Sequence, residues 1–432
     1  MLDVSGAVRR VEVRRSDLCE EVRQALRRLP PPFESHYGVV PSLPVMSPSV
    51  MPVAARHQDA ITSLARLETL TSELRDPWLV SRLLVRREAV SSSAIEGTNS
   101  TLDELLAAEE GDEASAVNDE QRGALRQVRD YALCLDALVP EAKRQGVSVF
   151  SASLIRELHC AVMKGETTYL DTPGEIRRKV VWIGGRGNIA YSTYNPTPPD
   201  DVPRCLSESV AYIRGDDAIG ALHTSLVTRM AVAHAHFEAV HPFRDGNGRV
   251  GRLMLPLMMA ADGHAPLYLS PYIEANQTGY YAALKAAQQR HQWHEMIGYM
   301  ADAIIGTVEE LLATRRALAD LERDWLTRRR FRAGSAAAGA LKVLPHYPVV
   351  TVRRLAGMLN VSWPQASHAI DQLASVGILT EKTGYRRNRM FTTREALSIV
   401  NRPFGEEAVL PQSQSEMEDN DGSRGLSGGP GQ

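Results

Sequence analysis

The stretch His241-Pro242-Phe243-Arg244-Asp245-Gly246-Asn247-Gly248-Arg249-Val250-Gly251-Arg252 constrains this chain more than any other. It must fold as a tight loop that opens a helix. Gly246 and Gly248 let the backbone turn sharply and approach a ligand without side-chain obstruction. The free N–H groups and positive dipole end of the following helix then point into the turn and make an anion site. Arg249 and Arg252, three apart on that helix, share a face and can fork onto phosphate oxygens. Asp245 is a hard oxygen ligand of the kind magnesium takes together with substrate phosphates. His241 is the group here that exchanges a proton near neutral pH unaided. Together these residue types point to handling a nucleotide's phosphates.

A chain of 432 residues exceeds one ordinary core and implies two or three domains. The net charge of -3 excludes a polyelectrolyte partner for the whole protein, so any DNA contact needs a local patch. Cys19, Cys134, Cys160 and Cys205 show no C-x-x-C spacing and read as reduced thiols, not as a disulfide frame or zinc site. No run is apolar and long enough to span a bilayer, and the N-terminus lacks an apolar signal core. The expectation is a soluble cytoplasmic protein that does not engage a membrane. His234 and His236 point to different helix faces and lack the H-E-x-x-H pattern, which argues against a histidine metal site there.

The apolar pattern divides the chain. Residues 1–52 read as an N-terminal arm, a short helix followed by an extended proline-rich stretch. Residues 53–140 form a helical region: Leu64, Leu67, Leu70 and Leu74 recur at helical spacing, then Leu79 to Val90, an acidic loop Glu109 to Asn118, and Leu125, Val128 and Leu133. A core spans 141–307, with Leu154, Leu158 and Val162 on one helix. In it, Val180 to Ile183 flanked by Gly184-Gly185 predicts a short hairpin, and Ala221 to Ala239 a helix with Leu222, Leu226, Met230, Ala233 and Phe237 on one face. Pro256 should kink the helix after the loop. Residues 308–339 read as a charged connector helix, Val308 to Arg330, and a flexible linker; 340–402 as a separate domain; 403–432 as a disordered tail.

HPFRDGNGRVGR resembles the signature of the Fic-domain proteins, with every fixed position filled. The resemblance extends to Ser91–Thr98 (SSSAIEGT), which is similar to the family's N-terminal inhibitory helix, with Ser92, Glu96 and Gly97 in place. It implies that Glu96 pairs with Arg252 and blocks that arginine from the γ-phosphate. A carboxylate and a phosphate competing for one guanidinium is a two-state switch. The segment from Gly174 through Arg177 to Gly184 is similar to the family's flap, whose Val181, Trp182, Ile183 and Gly184 would hold a target protein as an added strand. Tyr280, and with a departure from the usual Asn also Gln288, resemble the adenosine side of the site.

The resemblance thus implies a mainly α fold: a Fic-type helical bundle with a small β-hairpin flap, plus a C-terminal winged helix-turn-helix domain. It implies AMP transfer from ATP to a Ser, Thr or Tyr hydroxyl of a target protein, the chain itself included. His241 would act as general base and Asp245 would hold Mg2+. Gly246, Asn247 and Gly248 would fix the α-phosphate, Arg249 and Arg252 would neutralise the pyrophosphate, and Phe243 would anchor the loop. Removal of AMP by the same residues is the alternative within the enzyme class. The C-terminal domain resembles a winged helix through Thr351, the helices Val352 to Leu359 and Trp363 to Val376, and strands at Gly377–Leu379 and Arg389–Phe391. Ser362, Gln365, Ser367 and His368 could face a DNA groove, and Arg386, Arg387 and Arg389 phosphates. The domain could instead present a protein target or mediate self-association as a homodimer, since the fold does not fix the partner. A DNA-binding regulator with a nucleotide-sensing Fic core is the rival outside the enzyme class.

Overall fold

Apolar residues spaced three and four apart build most of the chain into helices. The structure, a computed structural model, describes residues 17–73, 77–111, 119–166, 168–216, 224–383 and 389–410. Two compact units emerge, one of residues 1–105 and 113–309, the other of residues 106–112 and 310–432. In chain order the elements are α1 (Glu20–Gln24), β1 (Leu26–Arg28), β2 (Tyr37–Val39), α2 (Ala54–Glu73), α3 (Pro77–Ile95), α4 (Leu102–Glu109), α5 (Asp119–Gln145), α6 (Ala152–Met163), β3 (Ile183–Gly184), β4 (Ser192–Tyr194), α7 (Val202–Arg214), α8 (Leu226–Val240), α9 (Asn247–Ala261), α10 (Ser270–Ala275), α11 (Gln277–Arg290) and α12 (Trp293–Arg328). They continue with α13 (Ala336–Val343), β5 (Val349–Thr351), α14 (Val352–Leu359), α15 (Trp363–Ala374), β6 (Thr380–Glu381), β7 (Met390–Thr392) and α16 (Arg394–Asn401). The fold is mainly α, and no described helix is long and apolar enough to cross a membrane.

The centre of the first unit is the pair α8 and α9, which pack on each other and on α5, α6, α7 and α11. Every residue of α8 is buried, so it has no solvent face and the one-sided apolar pattern understates it. A helix covered all round belongs to a core. Ser225 caps its start, accepting from the Thr228 N–H at 3.2 Å. Helix α9 runs through Pro256 as one element. Among the sequence positions, Leu64, Leu67, Val128, Leu154, Leu158 and Val162 are buried as their spacing predicts, whereas Leu133 is 49% exposed.

Several expectations change. Residues 26–39 are not an extended arm: β1 and β2 pair antiparallel, with Leu26 opposite Val39. Leu18, Val22 and Val39 pack against Tyr194 and Ala239, because the apolar side chains of this stretch find a core to bury in. The hairpin at Val180–Ile183 is shorter than its β-formers suggest. Only Ile183–Gly184 pairs with β4, with a bulge between them, since Gly184, Gly185 and Gly187 take positive φ and break the ladder. The connector helix begins at Trp293 and not at Val308, its first half being apolar enough to belong to the first unit. The small-residue stretch from Ser335 is α13, capped by the Ser335 hydroxyl on the Ala338 N–H, and alanine-rich sequence favours helix over linker.

In the second unit β5, β7 and β6 form a three-stranded antiparallel sheet beside α13, α14 and α15. Thr351 caps α14 as its position predicts, accepting from the Arg354 N–H at 3.2 Å. Helix α16, which sequence reading omitted, buries Ala396, Leu397, Ile399 and Val400. The strands fall at 380–381 and 390–392, both later in the chain than expected, and α15 ends at Ala374. Leu74, Leu222, most of the acidic loop, Arg386 and Arg387, and the tail from 411 onward lie outside the described residues.

Candidate active site

Helix α8 ends at His241, whose φ of 51° is left-handed and rare for a residue with a side chain. The buried Arg177 holds it there. Its Nε donates to the His241 carbonyl at 2.6 Å, its Nη2 to the carbonyls of Val240 at 3.1 Å and Thr197 at 2.5 Å, and its Nη1 to the Lys179 carbonyl at 3.1 Å. The Arg177 N–H donates to the Pro242 carbonyl at 3.0 Å. The loop then closes on itself. The Asn247 amide donates to the Phe243 carbonyl and accepts from the Phe243 N–H, both at 2.9 Å.

Phe243 is fully buried and stacks on His159 with ring centroids 3.8 Å apart. His159 Nδ1 accepts from the Gly174 N–H at 2.7 Å, which leaves the ring proton on Nε2 to donate to the Asp245 carbonyl at 3.0 Å. Gly246 begins α9 with φ 77°, and a Cβ there would lie 2.7 Å from Met163 Sδ. Only glycine satisfies both demands. The Asp245 carboxylate is exposed and accepts from the Gly246 N–H at 2.6 Å.

Glu96, at the end of α3, meets the N-terminal turn of α9. Arg252 Nη2 donates to Glu96 Oε1 at 2.6 Å. The same guanidinium donates through Nε to the Ser92 hydroxyl and through Nη2 to the Ser92 carbonyl, both at 2.9 Å. A Cβ on Gly248 would strike Glu96 Oε1 and lie 2.9 Å from Arg252 Nη1. The carboxylate therefore sits against the glycine at the helix start, where the dipole and free N–H groups favour negative charge. Burial opposes the ionised form of Glu96, but the Arg252 guanidinium overrides it and holds the carboxyl below its usual range. Gly97 ends the helix at φ 87° with its N–H on the Ala94 carbonyl at 2.9 Å. Helix α3 is anchored further back by Glu88, buried, which accepts from the Ser270 N–H at 2.8 Å and from the hydroxyls of Ser270 at 2.6 Å and Tyr131 at 3.1 Å.

His241 is half-buried, and its Nδ1 has no hydrogen-bond partner among the described residues. Burial, then the nearby Arg177 cation, lowers its pKa to about 4, so the ring is neutral at physiological pH. Behind it Glu238 is buried with Oε1 unpartnered, and burial raises its pKa to about 7.

The two signature arginines have different partners. Arg252 faces Ser92 and Glu96; Arg249 donates through Nη1 to Gln127 Oε1 at 3.1 Å and the Val162 carbonyl at 3.3 Å, and through Nη2 to Met163 Sδ at 3.2 Å. Tyr280 lies in the core, 2% exposed, with its hydroxyl 2.6 Å from His234 Nε2; the ring open to solvent is Tyr281, 51% exposed. Gln288 is half-buried and donates to the Ala235 carbonyl at 3.2 Å. Val181 and Trp182 lie just before β3, with Trp182 edge-on to Phe33 at 5.5 Å, and Ile183 is exposed.

Sequence reasoning missed Arg177, His159 and Glu238 as parts of this site. Arg177 and His159 act largely on backbone carbonyls and N–H groups, which leave no trace in residue spacing. The one signal for Arg177 was that it falls within the flap-like segment.

The family model described as Fic/DOC family matches residues 149–259, and that described as Fic/DOC family N-terminal matches residues 54–137. A probable protein adenylyltransferase of Aquifex aeolicus is 28% identical over 208 residues, 48% of this chain and 56% of that protein. Protein adenylyltransferase fic-1 of Caenorhabditis briggsae is 34% identical over 114 residues, 26% of this chain and 20% of that protein. The chain thus spans about half, or less, of the length of these relatives. A crystal structure of a Fic family protein from Desulfovibrio desulfuricans G20 superposes with a TM-score of 0.50 at 17% identity, covering 81% of this chain and 98% of that one, which bears on the fold alone. The glycine-bracketed loop and the N-terminal helix laid on it fall within these two matches, so the chain carries segments that match the N-terminal and Fic domains of the Fic/DOC family.

Proposed function

We propose that the first unit is an autoinhibited protein adenylyltransferase that moves AMP from ATP onto Ser, Thr or Tyr hydroxyls of a target protein, its own chain included. The observation that carries this reading is the Glu96 carboxylate on Arg252, against Gly248 at the start of α9. An anion already occupies the position built for one. The names of the curated relatives support AMP as the transferred group.

The reaction forms a bond from the target hydroxyl oxygen to the α-phosphorus and breaks the bond to pyrophosphate. His241, kept neutral by burial, takes the hydroxyl proton, a role worth roughly 10²–10⁴-fold. The N–H groups of Asn247 and Gly248 would hold the α-phosphate at the helix start, that of Gly246 being bonded to the Asp245 carboxylate. The side chain of Asn247 serves the loop's own closure, so its contribution to binding is through the backbone. Arg252, released by Glu96, takes a terminal phosphate. Arg249 joins it on exchanging its contacts with Gln127 and the Val162 carbonyl. Asp245 is exposed and hard, a fit for Mg2+, which when bound supplies neutralisation of the polyphosphate charge. Strand β3, paired with β4 alone among the described residues and carrying exposed Ile183, supports docking of a target segment by strand addition.

In the second unit we take the helix pair α14–α15 with β6 and β7 as a winged helix. Ser362 and Gln365 bond to each other at 2.8 Å and Trp363 is 61% exposed, which favours a protein contact over groove reading.

The test uses α-labelled ATP and magnesium with wild type, Glu96→Gly and His241→Ala. Expected are weak self-labelling in wild type, strong labelling of Glu96→Gly and none of His241→Ala. Label arriving from γ-labelled ATP instead would replace AMP transfer with phosphoryl transfer. Equal labelling of wild type and Glu96→Gly would remove the autoinhibition.

A further inference from the structure

Away from the nucleotide loop, three side chains of different chemistry converge on the C-terminal end of α11. Cys19 precedes α1, Glu21 lies in its first turn, and His291 ends α11. Their ligand atoms all lie within 4.8 Å of one another. We infer that Cys19, Glu21 and His291 form a site for a zinc-class divalent ion that ties the N-terminal segment to the end of α11.

The backbone already holds the two segments together, because the Cys19 N–H donates to the Gln289 carbonyl at 2.9 Å. His291 takes a left-handed φ of 52°, and its ring lies near-parallel to that of Trp293, with centroids 5.9 Å apart at 16°. The direction of the imidazole is therefore set by packing as well as by chain path.

A thiol, an imidazole and one carboxylate are a borderline-soft set, which suits zinc and not magnesium or calcium. Zinc bonds of about 2.0–2.3 Å in a tetrahedron put neighbouring ligand atoms about 3.3–3.6 Å apart. Closing from 4.8 Å needs shifts of about 1 Å, within side-chain adjustment. Three protein ligands leave a fourth position for water. Neither ligand spacing nor local sequence reveals the site, since Cys19 and His291 belong to opposite ends of the unit.

The experiment is a cobalt titration of the chelator-treated full chain, read by near-ultraviolet thiolate-to-cobalt charge transfer. Wild type and Cys160→Ser, which removes the exposed free cysteine, should each bind one equivalent with this absorption, and zinc should bleach it. Cys19→Ser should lose the band, and His291→Ala should bind at least about tenfold more weakly, since even outer-shell losses cost that much. No band in wild type, a band that persists in Cys19→Ser, or unchanged affinity in His291→Ala would overturn the proposal. Absence of the band in wild type, or its loss in Cys160→Ser, overturns the proposal even if another variant folds poorly, and none of these readouts depends on AMP transfer.

Discussion

Arg177 donates to the carbonyl of His241 at 2.6 Å, so a guanidinium on the flap side of the loop fixes the backbone of the proposed base. The same side chain reaches the carbonyls of Val240, Thr197 and Lys179. One residue thereby couples the segment that would receive a target to the residue that would take its proton.

Replacing Arg177 should separate binding from chemistry. In a Glu96→Gly background, Arg177→Lys keeps the charge but cannot fork over several carbonyls. Misplacing a base by about 1 Å can cost on the order of 10²-fold in rate. We expect kcat for transfer to fall by roughly that factor while ATP affinity changes little. Equal losses in both would mean that Arg177 supports the whole site and does not specifically position His241.

Ser92→Ala should loosen the inhibitory contact partway. It removes one hydrogen bond to the Arg252 cation and leaves the Glu96 ion pair and the Ser92 carbonyl in place. Regulatory couplings run about 1–3 kcal/mol, roughly 5–150-fold. Self-labelling from α-labelled ATP should rise above wild type and stay below Glu96→Gly. Labelling at the wild-type level would show that the hydroxyl contributes nothing to the restraint.

Much of this site was legible because its chemistry is compressed into one segment: His241, Asp245, Gly246, Gly248 and Arg252 stand where their local sequence puts them. Glu96 was legible through its match to a second short motif. What spacing could not show was the support beneath. Arg177 and His159 bond to backbone groups, and any buried polar residue that does so looks like a surface residue in sequence. Tyr280 and Tyr281 illustrate a different limit. Adjacent aromatics on a helix divide between core and solvent according to what packs on the helix, and here His234 captures the first. The helix at 336–343 shows that small residues read as a linker only when propensity is ignored.

Gly248→Ala should block the site to both occupants. The added methyl meets the Glu96 carboxylate and stands 2.9 Å from Arg252 Nη1, in the place a phosphate would use. Introduced into Glu96→Gly, it should abolish labelling and weaken ATP binding measured by calorimetry, unlike His241→Ala, which should retain ATP binding. Full ATP affinity in the double variant would remove Gly248 from the phosphate site.

The protein should lose stability as pH falls through the range 6.5 to 5, and the sign follows from the buried groups. Burial lowers the pKa of His159 to about 4, of His234 to about 3 and of His236 to about 4, and His241 to about 4. Unfolded histidines titrate near about 6.5. Between those values each unfolded imidazole binds a proton that the folded one refuses, so acid favours unfolding. Glu238, raised by burial to about 7, works the other way, because the folded chain keeps a proton that an unfolded glutamate has lost; Glu88, also raised by burial, has the same sign. His57 and His291, also lowered by burial, act in the same direction, so the imidazoles outnumber the two raised carboxyls and unfolding takes up protons on balance. Urea midpoints measured from pH 6.5 to 5 should therefore decline, and His236→Gln, which bears on neither the loop nor Arg252, should flatten the decline by about one proton's worth, roughly 1.4 kcal/mol per pH unit. A midpoint that rises towards pH 5, or a His236→Gln slope identical to wild type, would mean that these imidazoles are not held neutral by the fold.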